Sequence, residues 1–395
     1  SDEPADLIGE AGWNPPISGP GFYRIRATMK GREALVHRQG LNLVVIDPRH
    51  GTSGGEFGWT LPRGNRPVPL PLLTQLVGQA GIHWVKYPLW CEDQGDKDQG
   101  SEELAEELMA FYERLDAQGI ELIGLLHEPP RSVRTRCGPS PPQSAAGLFT
   151  RDPSIWYPSL EPVMARLAGR VRWWQLGHGR DTSFVAQPNL TAKIARVKNE
   201  LDRIGPDVNL GIGWDWFHEL PQAGDGEVPW RSVSLSADPP MTPRELAGYL
   251  DASRETGLQR WVAVEPLPRG VYSFEVRAID LVRRMITAKI HRSDAIFCPQ
   301  PFSTDRGLMN DDGTPGELFL PWRTVALLLG GARYLGSVQL PGGSPNQVFA
   351  RTDDAVIVVW SDEPTEEVMY LGETVRQIDL RGRSETPTMK EQRQV

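Results

Sequence analysis

Cysteine is scarce. Cys91, Cys137 and Cys298 are the three present in 395 residues, far apart and without a CxxC pair. Such a count is neither a disulfide scaffold nor a zinc site. Cys298, inside the apolar run DAIFCPQPF, reads as a small buried hydrophobe. No run approaches the roughly 20 apolar residues that span a bilayer. Lys and Arg form no cluster, and 42 basic against 51 acidic side chains give a formal charge of −9. That balance speaks against nucleic acid as a partner. No GxGxxG or GxxxxGK[ST] follows a strand-like run, which disfavours dinucleotide and P-loop chemistry. No GxSxG lies on a strand–helix turn. No His/carboxylate spacing supports a metal site, and nothing calls for a cofactor. The opening SDEPADLIGE lacks an initiator Met and a secretory signal, so a mature or trimmed form is expected.

What is present is a chain with 39% apolar and 24% charged residues, 40 Gly and 35 Pro. It is too apolar to be disordered and too rich in loop residues for a helical bundle. Tryptophan stands out, with 13 copies against 11 Phe and 8 Tyr. An indole offers a flat face and one donor, which suits sugar rings as well as cores.

Three zones follow from the patterning. Residues 1–55 carry two alternating runs, Phe22 to Met29 and Leu35 to Ile46, which suit half-buried strands. Residues 56–337 alternate short apolar runs with amphipathic stretches. Residues 338–395 return to strands, clearest in QVFARTDDAVIVVWSD, and are expected to form a β-sandwich segment.

In the middle zone strand-like runs fall at 57–59, 82–90, 120–128, 171–178, 208–217, 233–238, 259–265 and 294–300. Helical stretches separate most of them, from LPLLTQLVGQAG through SEELAEELMAFYERLDAQG to LPWRTVALLLGGARYLG. Several start at Ser, Thr or Pro and end at Gly, as helix termini prefer. Eight strands alternating with helices point to a (β/α)8 TIM barrel, flanked by small β-rich segments.

In such a barrel, chemistry sits at the carboxyl ends of the strands. The third run ends His127-Glu128-Pro129, the sixth Asp238-Pro239 and the seventh Glu265-Pro266. A carboxylate before Pro is also a common solvated strand end, and Asp47-Pro48 repeats the pattern in the N-terminal zone, where no barrel mouth exists. Three acids on one mouth, with Trp59, Trp90, Trp174, Trp214 and Trp216 nearby in sequence, suit glycoside hydrolysis: carboxylates act as acid, base or nucleophile and indoles stack on sugars. Lys86 and Trp90 on the second run line the mouth as contacts or as plain wall.

The middle zone resembles the retaining glycoside hydrolases of clan A, with family 39-like enzymes similar in layout. The fourth run, RWWQLGHGRD, is similar to the clan strand W-x-x-G-N-E-P-D, whose Glu is the general acid/base. The seventh, RWVAVEPLPRG, resembles the strand ending in the nucleophilic Glu. Gly179 and Glu265 are 86 positions apart, near three βα units of roughly 30 residues each. The resemblance implies a catalytic role for Glu265 and an oligosaccharide or polysaccharide ligand, which favours an extracellular or periplasmic setting. The β-flanks suit a module of a longer chain with further domains.

The departure matters as much as the match. Where the clan has Asn-Glu-Pro, this chain has His178-Gly179-Arg180. A retaining mechanism needs two carboxyls about 5–5.5 Å apart, one of which protonates the leaving oxygen. With hydrogen in place of that acid, the resemblance implies a carbohydrate-binding pseudoenzyme with lost or strongly reduced activity. The alternative is an active hydrolase using Glu265 with a relocated acid such as Glu128 or His178. Strand alternation points His178 away from the mouth unless a bulge re-aims it. Asp215 and Asp238, on the fifth and sixth runs, are candidate substrate contacts together with Trp59, Lys86, Trp90, Trp174 and Trp216. Asp181 is expected to cap the following loop.

Overall fold

The structure is a computed structural model that describes residues 17–394 apart from 18, 31–34, 48–53, 63–67, 91–98, 128, 139–141, 168, 186, 206, 221–227, 254–256, 373 and 391–392. Strands β1 (Gly21–Lys30) and β2 (Leu35–Val45) form an antiparallel hairpin, at the two alternating runs of the N-terminal zone. The eight runs of the middle zone are β3 (Phe57–Thr60), β4 (Trp84–Trp90), β5 (Glu121–Leu126), β6 (Trp173–Leu176), β7 (Asn209–Asp215), β8 (Ser232–Ser236), β9 (Gln259–Ala263) and β10 (Ala295–Cys298). They pair in chain order, all parallel, and β10 closes on β3. The fold is a closed (β/α)8 barrel with additional antiparallel sheets outside it.

Among the described residues nine helices accompany these strands: α1 (Leu70–Gln79), α2 (Gln99–Asp116), α3 (Arg131–Arg136), α4 (Ala145–Phe149), α5 (Pro153–Leu167), α6 (Leu190–Asp202), α7 (Pro243–Ala252), α8 (Phe274–Ile290) and α9 (Phe319–Leu329). Their ends follow local chemistry. Thr242 and Glu245 form a reciprocal capping box at α7, and the Ser273 side chain caps α8. One expectation needs correction. LPWRTVALLLGGARYLG is not one helix: α9 ends at Leu329, a Gly330–Gly331 turn follows, and β11 (Arg333–Gly336) pairs with β12 (Asn346–Ala350), itself paired with β13 (Ala355–Val359). No helix among the described residues is long and apolar enough to cross a membrane.

Strand alternation divides the buried side chains into two sets. Outward residues such as Val85, Tyr87, Trp174 and Leu176 pack under the helices, Tyr87 on Phe111 of α2. Inward residues fill the bore. Trp84, Trp173 and Trp261 meet there with ring centroids 5.3–6.3 Å apart, beside Ile123, Ala295 and Phe297. Cys298 at the end of β10 is fully buried, and desolvation pushes its thiol up from the usual range, as suits a small core filler.

Two positions along β4 from Trp84, Lys86 enters the same bore. It was a candidate substrate contact, but it is 1% exposed and absent from the cleft walls. Its Nζ lies 4.1 Å from the Phe297 ring centroid and 4.9 Å from that of Trp261, and donates to Ser234 Oγ at 2.9 Å. Desolvation holds Lys86 well below the ordinary lysine range. The unfolded chain keeps that proton up to about pH 10.4, whereas the folded chain has released it earlier. Stability from this group therefore rises with pH between the two values. Lys86→Met is expected to melt higher than the parent at pH 7, with the gap narrowing toward pH 10. Thermal unfolding of both proteins across that range checks it; a gap that widens with pH would refute the assignment.

Candidate functional site

All eight barrel strands run the same way, so their carboxyl ends share one face. At the end of β6 the chain turns sharply. Gly177 takes φ +88°, a left-handed geometry that suits glycine, and its N–H donates to Leu126 O. The segment His178 to Asp181 then lies directly on β7. A Cβ at Gly213 would stand 1.6 Å from the Asp181 carbonyl oxygen, so only glycine permits this approach.

Asp181 fastens the segment, as expected of a loop cap. Its Oδ1 accepts from Ser183 N and Oγ at 2.8 and 2.5 Å, and its Oδ2 from Ala145 N at 3.3 Å, in the first turn of α4. Gly179 is buried, and its carbonyl accepts from Ser234 Oγ at 3.2 Å. A Cβ there would meet Thr60 Cγ2 and Oγ1 at 3.1 Å. His178 is exposed on the cleft wall. Its Nδ1 accepts from Arg180 N at 3.0 Å, and its ring meets that of His127 edge to face at 6.3 Å.

The decisive contact involves the next residue. Arg180 Nη1 donates to both oxygens of Glu265, at 3.0 and 2.8 Å. Arg306, from the loop after β10, adds a donation to Glu265 Oε2 at 3.3 Å. The Glu265 side chain is 6% exposed and both arginines 28%. A buried carboxylate needs such partners, because an uncompensated charge in the interior is costly.

Two spaces open around this pair. A cleft of about 1320 Å³ is lined by Thr60, His127, Arg134, His178, Gly179 and Arg180, among others. Glu265 lies instead on a recess of about 20 Å³ with Trp216, Met241 and Arg284. Arg180 lines both. It is the wall between the cleft and the carboxylate.

The remaining candidates scatter. Glu128 lies outside the described residues. Asp215, at the end of β7, accepts from Phe217 N at 2.9 Å and pairs with His218 Nδ1 at 2.7 Å. Asp238 is exposed, its carboxylate 3.8 Å from Arg306. The indoles proposed as sugar platforms are core. Trp59, Trp90 and Trp174 are at most 1% exposed. Trp59 meets Phe302 and Phe319 edge to face, Trp90 Nε1 donates to Ser159 Oγ, and Trp174 Nε1 donates to Val171 O. Trp216 is 6% exposed beneath Tyr249. Trp59, Trp90 and Trp174 are too buried to offer a face to a ligand, whereas Trp216 lines the small recess beside Glu265. Sequence reasoning gave no role to Arg306 and took Arg180 as a mere departure from Pro. Among the described residues no group of three or more His, Cys, Asp or Glu could hold a metal ion.

No family model and no curated protein matches the chain. Solved structures do. A family 39 glycoside hydrolase from the gut symbiont Bacteroides cellulosilyticus WH2 aligns with TM-score 0.64 and 15% identity, over 96% of this chain and 86% of that one. The chain shares that enzyme's fold. An exo-β-1,4-mannosidase from Opitutaceae bacterium strain TAV5 aligns at TM-score 0.48 and 12% identity, over 72% and 62% of the two chains. Xylanase 10B from Thermotoga maritima gives 0.46 and 10%, over 69% and 95%.

Burial of the indoles sets an expectation. Trp90→Ala is expected to cost about 3–5 kcal/mol of stability, as large-to-small core changes do. Chemical denaturation measures it; a loss under about 1 kcal/mol, the range of surface changes, would mean that the ring is not core.

Proposed function

We propose that the protein is a carbohydrate-binding member of the glycoside-hydrolase fold whose hydrolase activity is lost or strongly reduced. The observation that carries this reading is the double contact from Arg180 to Glu265. It supports the reading in two ways. The only carboxylate that the clan resemblance carries over from the catalytic pair is engaged by two guanidinium groups and set behind one of them. The position of its partner acid is Gly179, which has no proton to give. General acid catalysis is worth roughly 10²–10⁴-fold, and natural glycosides with poor leaving groups depend on it. A ligand cleft without that chemistry is left, and the fold of a glycoside hydrolase supports a glycan as its occupant.

The alternative, an active hydrolase with a relocated acid, draws on Glu128, which lies outside the described residues, or on His178, which lines the cleft. Its imidazole would have to protonate a leaving oxygen while Glu265 became free of Arg180.

Assays with xylan, mannan and activated aryl glycosides separate the two. The unmodified protein is expected to release no reducing sugar from either polysaccharide. Arg180→Ala, which removes the closer of the two arginines on Glu265, is expected to hydrolyse dinitrophenyl glycosides faster than the parent, because that leaving group needs no proton. Restoring the acid needs Gly179→Glu together with Thr60→Ala, which clears the 3.1 Å contacts; any turnover gained should vanish on Glu265→Gln. Robust hydrolysis of either polysaccharide by the unmodified protein would overturn the proposal. His178→Gln would then test the relocated acid.

A further inference from the structure

We infer that the cleft takes a glycan carrying an anionic substituent, a carboxylate or a sulfate ester, and that Arg180 is the side chain that reads it. The inference rests on the carbohydrate reading above and narrows its ligand class.

Arg180 uses one nitrogen of three. Nη1 serves Glu265, while Nη2 and Nε carry no hydrogen bond among the described residues. The side chain is 28% exposed and lines the cleft. A guanidinium holds its donors in a fixed planar fork that matches two oxygens of a carboxylate or sulfate. Arg306 does not share this freedom: besides Glu265 it has Asp305 at 3.7 Å and Asp238 at 3.8 Å.

Arg134 places a second guanidinium on the wall of the same cleft. Of the described acids on its walls, Asp181 spends both oxygens on Ser183 and Ala145, and Asp311 is exposed on the loop after β10. The described walls offer little of the stacking platform that neutral sugars commonly use. Among the described lining residues Phe302 alone has a carbocyclic aromatic ring, and it is half-buried against Trp59. Recognition in this cleft must come from hydrogen bonds and charge. Glu265 occupies Nη1 alone, so a ligand can take Nε and Nη2 at the same time, but the Glu265 charge weakens the pull of that guanidinium on a second anion.

Isothermal titration with trigalacturonate, a 6-sulfated galactose trisaccharide and neutral galactotriose tests this. At least one acidic probe is expected to bind tenfold or more tightly than galactotriose, the two acidic arms telling carboxylate from sulfate, and the preference should shrink in salt. Arg180→Met should remove the preference for the acidic probes, and Arg180→Lys should keep part of it. Glu265→Gln, which removes that neighbouring negative charge, should tighten the acidic probe. If that variant does not fold, Arg180→Met against Arg180→Lys decides. Equal binding of all three probes, or a preference that survives Arg180→Met, overturns the inference while leaving the carbohydrate reading intact. Absence of binding to all three overturns it too, and a blank glycan array would then remove the carbohydrate reading as well.

Discussion

A closed barrel of eight parallel strands leaves a bore that must be filled, and the mouth rests on how that is done. Here Trp84, Trp173 and Trp261 meet in the bore near the start of their strands. Bulky rings from three non-adjacent strands, β4, β6 and β9, meet across the bore, which is how small barrels reach interior packing density. Further along β4 sits Lys86, whose amine reaches Ser234, and Ser234 in turn donates to the carbonyl of Gly179. The turn that carries Arg180 is therefore supported from beneath by a chain of contacts rooted in the indoles. Shifts in the filling would be felt in the loop.

From the side, the same turn is held by backbone approach. The left-handed Gly177 reverses the chain, the missing side chain of Gly213 lets Asp181 sit on β7, and Asp181 fixes the first turn of α4. These contacts aim Arg180 at Glu265, and Arg306 from the loop after β10 completes the charge balance. The electrostatic requirement of one buried carboxylate thus ties together the ends of β6, β9 and β10.

Much of the barrel was legible in the sequence because its strands are short apolar runs bounded by Gly and Pro, and all eight fall where the runs do. Helix limits were less so. Pro158 and Pro162 lie inside α5, where proline ordinarily marks a helix limit, and Gly330–Gly331 concealed the passage from α9 into β11. The site was harder for a different reason. Strands buried on both faces show no alternation that tells bore from shell, so Lys86 and the indoles looked equally able to face a ligand. The pairing of Arg180 with Glu265 spans 85 positions and has no local signature; only the fold brings the two together. Gly179 was visible as a departure, yet what its neighbour does in compensation was not.

The fit of Gly179 against Thr60 bears on how this site can change by mutation. A carboxylate introduced at 179 alone meets the branched side chain of Thr60, and Arg180 still holds Glu265. Trimming Thr60 alone removes core volume without adding a functional group. Replacing Arg180 alone leaves Glu265 with Arg306 as its cation at this site. For glycosides whose leaving group needs a proton, each single step toward a two-carboxylate centre carries a cost with no gain, so changes at the three positions are expected to be epistatic.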